Sequence, residues 1–155
     1  MIDLKRILVP TDFSEYSQVA VRYGCEFARR FDAELHLLHV LQDIVALVPE
    51  PGLTFPPPGD YVKDLRDSAQ VALEKLPGKD VDLPTKVVRE LRDGPAFVEI
   101  IRYAKANKID LIVLGTHGRS GLAHMLMGSV AERVVRKASC PVLSVRHPEH
   151  EFVMP

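Results

Sequence analysis

Two hydrophobic rhythms alternate along the chain. Short apolar runs bounded by turn residues read as buried strands, and apolar residues recurring every three or four positions read as helices with one packed face. Residues 4–9 form the first run, bounded by Pro10. Asp12 to Ser14 read as a helix entry with Glu15 in the first turn, and that helix is expected to reach about Arg30. Within it Tyr16, Ala20, Tyr23 and Phe27 fall at helical spacing, which predicts that they form the buried face. Residues 34–41 are a second strand, too continuously apolar to leave one face in water.

Residues 42–59 break the rhythm. They carry five of the twelve prolines, Pro49, Pro51, Pro56, Pro57 and Pro58. Such a stretch reads as a stiff, irregular surface loop, unusually long for one domain. Two readings stand for it: a lid beside a binding edge, or a tolerated insertion. From Asp60 a helix returns, with Val62, Leu65, Ala69, Ala72 and Leu76 on one face and Pro77-Gly78 as its stop. Residues 85–90 are a third strand, more polar and so nearer a sheet edge. Gly94-Pro95 opens a third helix whose buried face is expected at Phe97, Ile100, Ile101 and Ala104. A fourth strand at 110–114, a glycine-bearing loop, a helix at 130–137 and a fifth strand at 141–146 complete the pattern.

Five strands alternating with four helices predict an α/β fold: a doubly wound, five-stranded parallel sheet, Rossmann-like, with strand order 3-2-1-4-5. The chain, at 155 residues, suits a single domain over residues 1–147, with 42–59 inserted and 148–155 a tail without periodicity. Ligands in such sheets bind outside the carboxyl ends of the strands at the switch point, here between the first and fourth strands.

Charge and cysteine content narrow the classes. A net charge of −1 gives no bulk field for nucleic acid or an anionic membrane. No apolar run approaches the ~20 residues of a membrane helix. The first residues lead straight into a strand rather than a leader peptide. Cys25 and Cys140 are too few and too scattered for a disulfide framework, so a reducing cytoplasm is the expected compartment and both thiols are expected to be packing residues. His36, His39, His124, His147 and His150 show no metal-ligand spacing.

The chemistry concentrates after the fourth strand. The stretch from Gly115 through Gly118 to Gly128 and Ser129 joins a buried strand to a helix. Glycine permits positive φ and close approach of a ligand to the backbone, and a helix start offers unpaired N–H groups to an anion. The dinucleotide fingerprint, the P-loop and the hydrolase nucleophile elbow are all missing from the chain. A phosphoacceptor receiver is excluded by its acidic set, since Asp12 stands alone after the first strand and the fifth strand ends at Arg146, not a lysine.

Gly115-x2-Gly118-x9-Gly128-Ser129, together with Val9-Pro10-Thr11-Asp12-Phe13-Ser14 after the first strand, resembles the universal stress protein family over about residues 5–146. Its glycine pattern is like that of the ATP-binding branch. The resemblance implies ATP, or AMP or ADP, at the carboxyl ends of the first and fourth strands, with any Mg held by the nucleotide phosphates. Pro10 and Thr11 would line one wall, Asp12 would bond the ribose or adenosine edge, and Val40 would offer its backbone to adenine. Gly115 and Gly118 would meet ribose and phosphates; His117 and Arg119 would lie beside the phosphates; Gly128, Ser129 and Val130 would hold them at the helix start. No catalytic residue is implied. The resemblance also implies a homodimer through strand 141–146. Asp12 retains a second reading as a cap of the first helix, and Ser129 one as the cap of the last. Three functions follow: a cytoplasmic stress-response or regulatory nucleotide binder, a weak ATPase, or a nucleotide-free dimeric interaction module.

Overall fold

A computed structural model describes residues 2–42, 59–84, 86–116 and 127–146. Its elements in order are β1 (Arg6–Pro10), α1 (Glu15–Phe31), β2 (Glu34–Leu41), α2 (Gly59–Glu74), β3 (Val87–Asp93), α3 (Ala96–Ala106), β4 (Leu111–Gly115), α4 (Ser129–Lys137) and β5 (Val142–Val145). The five strands form one sheet in the order β3-β2-β1-β4-β5, and every pairing is parallel. Fold class and strand order match the expectation from hydrophobic rhythm. The third strand lies later than expected, at Val87–Asp93, and Thr85 falls outside the described residues.

Alternation along each strand divides the core in two. Ile7, Val9, Leu35, Leu37 and Val113 point to one face, where they meet Ala20, Val21, Cys25 and Ala28 of α1 and Leu73 of α2. Leu8, Leu38, Ile112 and Leu114 point to the other, against Ile100, Tyr103 and Ala104 of α3 and Ala131 and Val134 of α4. Adjacent strand residues thus feed opposite cores, which is why β1, β2 and β4 read as unbroken apolar runs.

The faces of three helices differ from the periodicity reading. In α1 the buried residues are Ser17, Ala20, Val21, Gly24, Cys25 and Ala28, while Tyr23 is 50% exposed. The cause is close approach: a Cβ on Gly24 would lie 2.3 Å from Val9 Cγ2. Small side chains therefore take the contact, and the aromatics are displaced to its flanks. In α2 the buried residues are Ala69 and Leu73, and Val62 faces solvent. In α3 the buried residues are Glu99, Ile100, Tyr103 and Ala104, with Phe97 and Ile101 half-buried, and the Tyr103 hydroxyl lies 2.9 Å from His36 Nδ1. A buried phenol requires such a partner.

Candidate functional site

The sheet parts at its switch point. β1 stays paired with β2 up to Pro10↔Leu38, and β4 with β5 up to Gly115↔Val145. The β1–β4 pairing ends earlier, at Leu8↔Ile112, although both strands run on. Their carboxyl ends therefore form the two lips of a crevice.

On the β1 lip, Pro10 is half-buried and Thr11 is buried. Thr11 N donates to Leu38 O at 2.9 Å, which holds the turn against β2. Asp12 is half-buried, and its Oδ1 accepts from Ser14 N at 3.0 Å and Ser14 Oγ at 2.5 Å. Ser14, not Asp12, is the N-cap of α1: its Oγ accepts from Ser17 N. The capping reading of Asp12 is corrected accordingly, because its Asx turn, two residues upstream of the cap, leaves the cap to Ser14. Val40 lies two residues beyond the last β1 partner of β2 while still in register with Arg92 of β3. Its side chain packs against the core on the α3 side.

On the β4 lip, Gly115 is an extended strand residue, and Thr116 behind it is buried. Thr116 N donates to Val145 O at 3.0 Å, and Thr116 O accepts from Gly128 N at 2.6 Å. One residue thus ties the strand end to β5 and to the entry of α4. Gly128 is the N-cap of α4, with φ −67° and ψ 152°, and as glycine it brings no side chain of its own to cap the helix. Ser129 is the first helical residue rather than the cap, and Val130 packs partly into the core. Neither Gly115 nor Gly128 has positive φ, so turn geometry does not require glycine there. Close approach to the backbone is the property that remains. The α4 start and its dipole favour an anion. His117, Gly118 and Arg119, the other loop residues named from the sequence, lie outside the described residues, as do the 43–58 stretch, His124 and the tail after Arg146.

Two residues that matter to this geometry carried no sequence signal. Thr116 gave none because its work is done by backbone atoms. His39 belongs to no metal-ligand spacing in the sequence; it is buried, with Nδ1 2.7 Å from Thr11 O and its ring stacked on Phe13. Among the described residues no group of three or more His, Cys, Asp or Glu could hold a metal, and no helix is long and apolar enough to cross a membrane.

A separate groove of about 530 Å³ runs between β3 and the end of α3, toward the amino ends of the strands. Its two carboxylates are both engaged, Glu34 by Lys86 and Arg6 and Glu90 by Arg92, and Lys108 adds a fourth cation to the lining. Exposed ion pairs of this kind belong to a solvated surface, and the crevice at the carboxyl ends is the site that also brings a helix start to strand ends.

The model of the universal stress protein family matches residues 3–146. Universal stress protein MJ0531 of Methanocaldococcus jannaschii is 37% identical over 148 residues, covering 95% of this chain and 85% of the relative. Among solved structures, the hypothetical protein MJ0577 superposes with a TM-score of 0.73 at 28% identity, covering 96% of this chain and 99% of that one. Universal stress protein UspA from Lactobacillus plantarum gives 0.72 at 27%, covering 94% and 100%. Two further structures share the fold at 23% and 20% identity, with TM-scores of 0.60 and 0.59: a universal stress protein in complex with cAMP, and one from Archaeoglobus fulgidus in complex with dAMP. With a match spanning nearly the whole sequence and the same parallel sheet beneath it, this chain belongs to the universal stress protein family.

Proposed function

We propose that this protein binds an adenine nucleotide, ATP or AMP, in the crevice between the carboxyl ends of β1 and β4, and that it acts as a cytoplasmic regulatory protein of the stress response. The observation that carries the reading is the early end of β1–β4 pairing at Leu8↔Ile112, beside a helix start whose N-cap is Gly128. A crevice with a helix N-terminus on one lip is where α/β sheets take phosphorylated ligands. The same fold accommodates cAMP and dAMP in two more distant proteins.

In this reading Gly128, Ser129 and Val130 receive the phosphates, and Gly115 and Gly118 lie along ribose and phosphate. Asp12 takes the ribose or adenosine edge, Pro10 and Thr11 form the wall, and the Val40 backbone meets adenine. His117 and Arg119 flank the phosphates, and Mg is carried by the phosphates rather than by a protein carboxylate cluster. We assign no catalytic residue; the protein holds the nucleotide and presents the occupied or empty state to partners. We also propose a homodimer through β5, whose outer edge is a ready template for a second copy.

Mass spectrometry of small molecules released from freshly purified protein tests the reading, followed by calorimetric titration with ATP and magnesium. An adenine nucleotide in the extract and saturable heat support it. An empty extract with neither heat nor a melting shift at millimolar nucleotide would overturn it.

A further inference from the structure

The turn that carries Asp12 is held from outside itself. His39 belongs to β2, yet its Nδ1 lies 2.7 Å from Thr11 O and its ring stacks on Phe13 with centroids 4.2 Å apart. A carbonyl oxygen only accepts, so Nδ1 carries the proton and donates. Phe13 has φ 64°, a left-handed conformation that costs a bulky residue about 1–3 kcal/mol. It persists because the turn is over-determined. Phe13 N donates to Thr11 Oγ1 at 3.1 Å, and Thr11 Oγ1 lies 3.0 Å from Ser17 Oγ. His39 therefore grips the residue before Asp12 by its carbonyl and the residue after it by its ring. With both neighbours fixed, the Cα–Cβ direction of Asp12 is set, and Ser14 N and Oγ then orient its carboxylate.

We infer that His39 is a positioning residue for Asp12, setting the affinity of the crevice for the nucleoside part of the ligand without touching it. This inference rests on the nucleotide reading above. It makes an unusual demand on side-chain chemistry. Asparagine carries its amide nitrogen on Cγ, where histidine carries Nδ1, so His39→Asn preserves the donor to Thr11 O. His39→Gln moves the amide one bond further and His39→Leu removes it.

The test is ATP affinity by calorimetry for the wild type, His39→Asn, His39→Gln, His39→Leu, Asp12→Asn and the double variant His39→Gln with Asp12→Asn. Both His39→Gln and His39→Leu are expected to weaken ATP about tenfold, the loss of roughly one well-placed hydrogen bond, while His39→Asn stays within about threefold. In the Asp12→Asn background, His39→Gln is expected to add little, because the carboxylate it positions has been replaced by an amide. Equal losses in both backgrounds, or His39→Asn as weak as His39→Gln, overturn the inference. Hydrogen exchange at the Phe13 and Ser14 amides provides a readout without nucleotide: faster than wild type in His39→Gln, with His39→Asn between the two because asparagine keeps the donor to Thr11 O and loses the ring on Phe13. Exchange unchanged in His39→Gln also overturns it, even if the His39→Leu protein fails to fold. A wild type that takes no nucleotide sinks the nucleotide reading instead, and the exchange result still decides whether His39 holds the turn.

Discussion

The amide of Gly128 donates to the carbonyl of Thr116 at 2.6 Å, so the chain leaves β4 and returns to within one hydrogen bond of its end before α4 begins. That closure fixes where the α4 start points. It also gives Gly128 an ordinary backbone, with φ −67°. Alanine at 128 is therefore expected to leave the fold and melting temperature nearly unchanged. Nucleotide affinity should fall with side-chain size: moderately for Gly128→Ala, and beyond detection for Gly128→Arg. Calorimetry with ATP alongside circular dichroism checks both halves. Arginine at 128 binding ATP like the wild type would remove the α4 start from the site.

Gly24 shows the opposite use of glycine, for packing. A Cβ there would meet Val9 Cγ2 at 2.3 Å and Leu35 Cδ1 at 3.3 Å, both on buried strands. Overpacking of this kind costs about 1–3 kcal/mol, against a helix-propensity gain of about 1 kcal/mol over glycine. Gly24→Ala is expected to be destabilising by up to about 2 kcal/mol, and Gly24→Val by more. Urea unfolding gives the sign directly, and a stabilised Gly24→Ala would show that α1 can lift off the sheet at little cost.

That contact also marks how far the sequence could be read. Strand order and the crevice followed from apolar runs, since adjacent residues such as Ile7 and Leu8 serve opposite cores. The face of α1 did not, because periodicity ranks residues by hydrophobicity while the sheet selects by size at close approach; Tyr23 is outside and Ser17 inside for that reason. Within the site, Asp12 and Gly128 were legible as motif residues. Thr116 and His39 were not, since one acts through its backbone and the other through a contact 28 positions away in sequence.

His36 couples stability to pH. It is buried, with Nδ1 on the Tyr103 hydroxyl and Nε2 3.4 Å from Glu34 Oε2, outside hydrogen-bond alignment. Burial lowers its pKa below the usual 6.5; Glu34 opposes that shift, and Arg6 and Lys86 reinforce it. The folded state thus binds this proton less readily than the unfolded chain. Its contribution is fully present above the unfolded pKa and is lost as pH falls through the folded value. Acidifying below about pH 6.5 is expected to lower the urea midpoint of the wild type. In His36→Gln the curve should be flatter over the same range, although the variant starts less stable. Parallel curves for the two proteins would assign the acid sensitivity elsewhere.

Cys25 should be chemically silent. It is buried, and burial raises its thiol to about 11. At pH 8 the thiolate fraction is then about one in a thousand, far below that of a free cysteine. Labelling with a disulfide reagent is expected to proceed at Cys25 only at the rate of unfolding, and to accelerate sharply across the urea transition. Rapid native labelling at Cys25, located by peptide mapping, would show that α1 opens locally.

The proposed dimer can be tested on one backbone position. Ile112 N donates to Pro141 O and Thr116 N to Val145 O, so the carbonyls at 141 and 145 face β4. Strand alternation turns the N–H groups of Val142 and Ser144 to the outer edge. Ser144 is also exposed, so its replacement disturbs no core contact. Ser144→Pro removes one outward donor and leaves the β4 ladder intact, which is where an edge strand tolerates proline. The substitution is expected to shift the protein from dimer to monomer by light scattering at micromolar concentration, with the fold retained by circular dichroism. Ser144→Ala keeps the N–H and should remain a dimer. A dimer that survives proline at 144 must be held by another surface, and a wild type that scatters as a monomer rules out the β5 assembly altogether.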